Sequence, residues 1–445
     1  MRPFSKRDLI GYAMGDFGCN MCFALITNYM MLYYTQFIGL KMTDWAWIII
    51  VGKVWDAIND PIIGSMVDNV KLKSKSKFMP WITAGSIGII ITTTAIFLPI
   101  NNASYGFKVA FCVAAYCIWS VVYTMANVPY GALHSCITDD PKQRTNLSTF
   151  RSLGAAAAQG PLMLLPMLVY DENDELKGGM FVWVALVCTI AGFFGFLLTR
   201  VLVTERIHIE KPKEKFNYTA TLRGFFTNRP LIAATIVTVV QIICFMSMNS
   251  VNTIIFQTYF KNAKLVSVVT IIAYVPMAFL LPFIGKITAK IGKKGISVIG
   301  GAIGTVTGVI SLFLPLKPES PASVPLWIVC LMFFYVSNAV FSILIWAMVV
   351  DCIDAQYEKT GKREEGSVYA LYSFFRKLSQ GIGSSVSALA LAACGYVEEL
   401  GAAQTAQTAL NIKNMYLWFM LGGSAVTLVV MKFMYNIDEV KRASD

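Results

Sequence analysis

The sequence predicts an all-α integral membrane protein of twelve helices in two related six-helix halves. Three observations carry this expectation. The 445 residues are 56% hydrophobic and only 14% charged, with a mean hydropathy of +0.60, whereas a soluble chain carries about 25% charged residues. Apolar stretches of about 20 residues, the length that crosses a bilayer, recur along the chain. Two short motifs also recur at about half the chain length, as in folds built from a duplicated unit.

Spans are expected over residues 9–39, 44–67, 78–99, 107–134, 147–170, 179–203, 230–259, 265–289, 295–316, 322–350, 366–396 and 412–435. The first follows a basic start (Arg2, Lys6, Arg7) and runs to Gly39. That is too long for a signal-peptide core, and no small-residue cleavage site follows. An even number of spans puts both termini on one side, and the charges choose the side. With the N-terminus inside, 26 of the 37 Lys and Arg lie on the inner face, seven on the outer face and four within spans. The excess predicts cytoplasmic N- and C-termini in the cell (inner) membrane. The acidic outer loop Asp171-Glu172-Asn173-Asp174-Glu175 agrees. The longest polar connection, 204–229, is expected to be a cytoplasmic loop joining an N-terminal bundle (1–203) to a C-terminal bundle (230–445). No separate soluble domain fits.

The repeat places Asp60-Pro61-Ile62-Ile63-Gly64 opposite Leu281-Pro282-Phe283-Ile284-Gly285, and Phe150-Arg151-Ser152-Leu153 opposite Phe375-Arg376-Lys377-Leu378. The second and eighth spans, and the fifth and eleventh, would then be equivalents. This parallel repeat is the pattern of a major-facilitator fold, whose substrate site is expected between the halves near the midplane. At the matching positions the first half holds Asp60 and the second Leu281, while the second half supplies Arg376 and Lys377.

Composition also narrows function. The net charge of +11 is explained by basic inner loops, so nucleic acid is not an expected partner; a small molecule and the bilayer are. Cys19 and Cys22 have CxxC spacing but lie within the first span, where cysteines are usually core residues. With only His134 and His208, a histidine metal site or proton relay is not expected. No nucleophile elbow, metal-ligand cluster or phosphate loop points to an enzyme, and no cofactor is expected.

Charges inside spans carry the functional signal, because each costs roughly 2.5–3.5 kcal/mol at a helix centre. The second span holds Lys53, Asp56 and Asp60. Asp56 and Asp60, at i and i+4, share one face. From a start near Asp44, Asp56 lies about 18 Å deep, in the middle of a hydrocarbon layer about 30 Å thick. Two midplane carboxylates one turn apart repel unless a cation or proton sits with them, and Lys53 neutralises only part of the charge. The expected arrangement is a coupling-cation site at Asp56 and Asp60, with Asn59 and Thr124 supplying neutral oxygens and Na⁺, H⁺ or Li⁺ as the ion. A salt-bridge cluster locking helices is the competing structural reading.

The eleventh span carries Arg376 and Lys377, about 15 Å deep from Gly366; Arg151 in the fifth span is shallower. Three roles are open to these bases: pairing with the acids across the halves, binding a polar or anionic substrate, or a fixed structural pair. Aromatic faces stack on sugar rings, which makes Tyr123, Trp346 and Tyr372 candidate substrate residues, although most span aromatics simply pack. Lys53 and Asp16 are candidate coupling residues. Gly64 and Asp68, beside the basic run 71–77, are candidate inner-gate residues: Gly64 permits close helix approach and Asp68 caps or pairs. Asp351, Asp354 and Arg363 stand on the same face of the other half. Solvated loop charge is the bland alternative for all of these.

These residues resemble the glycoside–pentoside–hexuronide:cation symporter family of the major facilitator superfamily, over nearly the whole chain. Gly11-Tyr12-Ala13-Met14-Gly15-Asp16 with Asn20 resembles the family's opening motif. Asp56-Ala57-Ile58-Asn59-Asp60-Pro61 with Gly64 and Asp68 resembles its second-helix motif, the most specific of the set. Asn127-Val128-Pro129-Tyr130-Gly131-Ala132-Leu133, Arg144, Arg151, Gly361-Lys362-Arg363 and Glu365-Gly366 add further matches. In the melibiose-carrying branch, the acids matching Asp56 and Asp60 and the threonine matching Thr124 are implicated in cation binding, with the bases matching Arg151 and Lys377 in the same core. That branch has acids where this chain has Asn20 and Asn127, and tryptophan at Gly131, which speaks against an α-galactoside. The glucuronide-carrying branch is more similar, at Asn127–Gly131, Ser373–Lys377 and Ile291–Lys294. The resemblance implies a cation-coupled sugar symporter working as a monomer, with a sugar between Asn20, Asn127, Arg151 and Lys377. Trading two acids for amides and placing Arg376 beside Lys377 suits a carboxylate-bearing sugar such as a hexuronide; a neutral glycoside or pentoside oligomer stays open. A proton-coupled exporter or a uniporter of another small amphipathic compound is the alternative.

Overall fold

The computed structural model describes residues 2–70, 76–207, 225–360 and 365–437. Apart from one isolated bridge between Tyr170 and Leu176, the described chain is helical. The helices are α1 (Lys6–Leu32), α2 (Met42–Asn69), α3 (Met79–Ile96), α4 (Tyr105–Ile137), α5 (Pro141–Met163), α6 (Met180–Leu202), α7 (Arg229–Thr258), α8 (Leu265–Phe313), α9 (Ser323–Thr360), α10 (Glu365–Ala393) and α11 (Ala406–Phe433). A π-helical turn, Tyr33–Phe37, prolongs α1, and a five-residue helix, Leu165–Val169, prolongs α5.

Among the described residues, nine helical segments are long and apolar enough to cross a membrane. Those missing from the nine are informative. α2 and α10 carry the mid-span charges, Lys53, Asp56 and Asp60 in one and Arg376 and Lys377 in the other. The first arm of α8 contributes only the shorter apolar stretch Leu265–Leu280.

Local chemistry sets the helix ends. Asp140 caps α5 by accepting from Lys142 N at 2.8 Å, and Pro141 occupies the first turn, where its missing N–H costs nothing. Asn228 caps α7 by accepting from Leu231 N at 3.1 Å. One expected boundary shifts. The fifth helix begins at Pro141, ahead of residue 147, because the Asp140–Pro141 start nucleates it upstream of the apolar run. The runs 265–289 and 295–316, expected as separate helices, are two helical arms of Leu265–Phe313 that meet at a non-helical break at Gly292 (φ 73°, ψ 163°). Only glycine adopts that left-handed backbone without a Cβ penalty.

The chain divides into two compact units, Met1–Pro212 and Lys213–Asp445, each with its own core. The first core gathers Leu9, Tyr12, Cys19, Ile82, Ala126, Tyr130 and Phe196; the second gathers Leu231, Val237, Ile284, Leu344, Met348 and Tyr372. In the first unit α1 packs on α5 and α6, and α3 on α4 and α6. In the second α7 packs on α10 and α11, and α8 on α9 and α11. The same neighbour pattern recurs, with α7, α10 and α11 in the roles of α1, α5 and α6.

Small residues bring these backbones together, as lipid-embedded helices require. A methyl group at Gly18 would sit 2.6 Å from Gly192 O, and one at Gly195 2.5 Å from Met14 O. The Thr199 hydroxyl crosses the same seam to donate to Gly11 O at 2.8 Å. In the second unit Gly301 and Gly308 meet the α11 backbone, their added Cβ atoms falling 2.7 Å from Leu428 N and 2.8 Å from Leu421 Cα.

Candidate functional site

Helices α2 and α4 lie side by side, and their contacts keep a constant sequence separation, so the helices run parallel and in register. A methyl at Gly52 would stand 2.5 Å from the Tyr116 ring. One turn on, Ser120 Oγ donates to Asp56 Oδ1. A further turn on, Thr124 Oγ1 donates to Asp60 Oδ1 at 2.9 Å. The absence of a side chain at Gly52 admits the Tyr116 ring, whose hydroxyl donates to Asp56 Oδ2 at 3.1 Å. Lys53 Nζ reaches the same oxygen at 3.0 Å and lies 5.6 Å from the Tyr116 ring centroid.

Asp56 thus faces one ammonium and two hydroxyls, and Asp60 at least one hydroxyl. Both carboxylates are half-buried. Lys53 compensates Asp56, and Asp60 lies one turn away on the same face. Oxygen-rich groups of this kind suit a hard monovalent cation or a proton. Among the described residues, no group of three or more His, Cys, Asp or Glu is placed to hold a metal ion.

Asn59 is buried on the row continued by Ile63 and Val67. Its Nδ2 is enclosed without a hydrogen-bond partner, an arrangement that costs about 1–3 kcal/mol.

A second cluster joins α1 and α5. Arg151 Nε meets Asp16 Oδ1 at 2.9 Å, and Asn20 Nδ2 donates to Asp16 Oδ2 at 3.0 Å and to Asp16 O at 2.9 Å. The guanidinium lies 5.6 Å from the Tyr130 ring centroid. Tyr130 stacks on Tyr12 with centroids 4.7 Å apart and donates to Tyr12 O at 2.6 Å. Asp16, expected as a coupling residue, is therefore the partner of Arg151. The arginine's charge is compensated inside its own unit by an acid that is itself buried. Arg151 nevertheless keeps 43% of its side chain exposed. Asn20 Nδ2 is engaged by Asp16, so its Oδ1 is the atom left to meet a ligand. Asn127 is half-buried on α4, three residues past Thr124. Tyr123 stacks on Trp119 at 4.9 Å and on Phe23 at 5.6 Å.

In the second unit the Arg376 guanidinium lies 5.3 Å from the Trp346 ring centroid. Trp346 meets Tyr372 edge to face at 5.4 Å and 79°. Tyr372 is fully buried, its hydroxyl 3.1 Å from Thr238 Oγ1. Within its unit it packs edge to face against Trp346. Lys377 is exposed on α10.

Lys293, directly after the Gly292 break, forms an ion pair with Asp351 at 2.6 Å, while Asp354 is exposed. At Gly64, a candidate for close helix approach, a methyl would meet nothing within 4 Å; no neighbour within the described residues needs its small size. Arg363 and the Asp68 side chain lie outside the described residues.

Two features escaped the sequence reading. Ser120 and Tyr116 join Asp56; the signal was the four-residue period Tyr116–Ser120–Thr124, matching that of the acids. The other is a tie at the ends of α1 and α6. Buried Asp8 accepts from Arg2 at 3.1 Å and from Arg206 at 3.0 Å, and Glu205 accepts from Lys77 N at 2.9 Å and Phe78 N at 3.2 Å ahead of α3.

An all-helical bundle with paired carboxylates lodged inside apolar helices defines a membrane transporter. The chain belongs to the MFS/sugar transport protein family, whose model matches residues 11–439, and it is a glycoside–pentoside–hexuronide-type member. It is 26% identical to the glucuronide carrier protein homolog of Escherichia coli (strain K12), over 97% of this chain and 93% of that protein. It is 27% identical to the isoprimeverose transporter of Lactiplantibacillus pentosus, over 99% and 90%. The crystal structure of a D-xylose–proton symporter superposes with a TM-score of 0.69 at 12% identity, over 96% of this chain and 97% of that one, a likeness of fold.

Proposed function

We propose that the protein is a cation-coupled symporter that carries a glycoside into the cell by alternating access, as a monomer spanning the cell membrane twelve times with both termini cytoplasmic. The observation that carries this reading is the α2–α4 ladder, in which Asp56 and Asp60 each accept a hydroxyl from α4 inside the bundle. Two carboxylates and the hydroxyls of Tyr116, Ser120 and Thr124 gather on one strip as the hard oxygen ligands that a small cation or a proton takes, and binding that charge is what couples an ion gradient to a second solute. Na⁺, Li⁺ and H⁺ are the candidate ions, with Asn59 near the site on α2.

Asn20, Asn127, Arg151, Trp346, Arg376 and Lys377 are proposed to contact the sugar. Arg376 over Trp346 combines a stacking face with a bidentate donor, the pairing a carboxylate-bearing sugar needs. The relative named as a glucuronide carrier homolog supports a hexuronide, and the one named as an isoprimeverose transporter keeps a neutral glycoside in view.

The test is uptake of labelled glycosides (a glucuronide, a glucoside and a xyloside) into right-side-out membrane vesicles with Na⁺, Li⁺ and H⁺ gradients imposed separately. Accumulation driven by one inward gradient is the expected result. Uptake indifferent to every gradient would identify a uniporter. Efflux driven by an inward proton gradient would identify an exporter.

A further inference from the structure

The second unit contains a polar chain that the cation and sugar residues above do not use. Gln241 lies twelve residues into α7, roughly 18 Å along the helix, and is buried. Its Nε2 donates to Thr427 Oγ1 on α11 at 2.6 Å. Its Oε1 accepts from Asn338 Nδ2 on α9 at 2.9 Å. Ser342, one turn further along α9 and exposed, donates to Asn338 Oδ1 at 3.1 Å. Trp346, with Arg376 over its ring, follows after another turn.

The direction of this chain is fixed from the buried end. Thr427 donates its single hydroxyl proton to Gly423 O at 2.8 Å, within its own helix. Its oxygen is then an acceptor toward Gln241, so Gln241 must turn Nε2 to Thr427 and Oε1 to Asn338. Asn338 must in turn offer Nδ2 inward, because two amide oxygens facing each other would leave both unsatisfied. Its Oδ1 is therefore held toward Ser342. A carbonyl oxygen has two lone pairs, and Ser342 occupies one. The α9 face thus presents a fixed acceptor, a hydroxyl and an indole ring at successive turns.

We propose that Asn338 is a specificity-determining residue of the carrier, its Oδ1 held by the Gln241–Thr427 chain to accept a hydrogen bond from a hydroxyl of the transported glycoside stacked on Trp346. This inference rests on the sugar-transport reading above. Gln241 touches no substrate and acts as a positioning residue. A site built to pair with a hydroxyl rejects the analogue lacking it, because the site's polar group is left unmet.

The experiment measures inhibition of labelled 4-nitrophenyl glycoside uptake into vesicles by the parent methyl glycoside and by its 2-, 3- and 4-deoxy analogues. The most readily carried member of a glucuronide, glucoside and xyloside panel serves as the labelled probe. In the wild type, one deoxy position is expected to weaken inhibition by about three- to tenfold. Gln241→Met frees the Asn338 amide to turn, and that discrimination should fall to about twofold or less while the other positions keep theirs. Asn338→Leu removes the acceptor itself and should lose the same discrimination while the other positions keep theirs, so it provides a second reading if Gln241→Met inserts poorly. Discrimination equal to the wild type in Gln241→Met or in Asn338→Leu overturns the inference while leaving the sugar reading intact. A wild type that carries none of the panel overturns the sugar reading, and this inference with it.

Discussion

Thr124 donates a 2.9 Å hydrogen bond to Asp60 across two parallel helices, one turn beyond the bond from Ser120 to Asp56. The two rungs make one oxygen-lined strip from residues 64 positions apart in sequence. A hydroxyl that donates to a carboxylate can turn its lone pair to a cation when one binds. Thr124→Val removes that oxygen at constant shape and is expected to raise the cation concentration for half-maximal uptake by about three- to tenfold. Thr124→Ser should stay within about twofold of wild type, for the same reason. Ion titration of sugar uptake reads both.

Asp60→Asn and Asp56→Asn keep the shape of the strip but remove its charge. Each is expected to reduce gradient-driven accumulation by at least about tenfold, since an amide binds a hard cation far less well than a carboxylate. Sugar exchange at equal ion concentrations should survive better than accumulation. Equal loss in both assays would show that the acids support folding or sugar binding instead of coupling.

Lys53 and Asp56 compensate each other inside the helix layer. Lys53→Met leaves Asp56 with two hydroxyls and no ammonium, and is expected to cost about 3 kcal/mol, the scale for breaking a buried pair. The double variant Lys53→Met/Asp56→Asn should recover part of that loss while remaining defective in coupling. Thermal unfolding of the purified carrier in detergent measures the first effect, and vesicle uptake the second.

Arg151 and Asp16 form the corresponding pair between α1 and α5. Asp16→Ala exposes an uncompensated guanidinium to the bundle and should lower the unfolding temperature more than Arg151→Ala/Asp16→Ala does. Arg151→Lys should not restore function, because an ammonium supplies no planar fork for both Asp16 and a sugar. Full transport by Arg151→Lys would assign Arg151 to charge balance alone.

The Lys293–Asp351 pair can be tested by exchange. Lys293→Asp or Asp351→Lys alone is expected to slow uptake, and the two together to restore part of it. No recovery in the double variant would show that the contact makes no functional contribution.

The hydropathy pattern made the helical membrane architecture legible, because a bilayer demands about 20 apolar residues per crossing whatever the helices later touch. The acids at 56 and 60 were legible for the same reason: charge inside an apolar run is costly enough to need a use. The Asp140–Pro141 start shows the limit, since capping chemistry, not hydropathy, decides where α5 begins. The break at Gly292 was legible, since the basic stretch around it interrupts two apolar runs and the backbone leaves the helix there.

Sequence alone determined that this chain is a helical, membrane-spanning protein with charge lodged in α2 and α10, because burial of apolar surface and the cost of burying charge are set by residue type. Partnership was decided only by tertiary structure. The constant offset between α2 and α4 gave Asp56 to Ser120 and Asp60 to Thr124, and the contact of α1 with α5 gave Arg151 to Asp16. Lys53 remained beside Asp56 on its own helix. Which charges cancel depends on helix register and on which faces meet, and these follow from how small residues such as Gly18, Gly52 and Gly195 let particular helices approach.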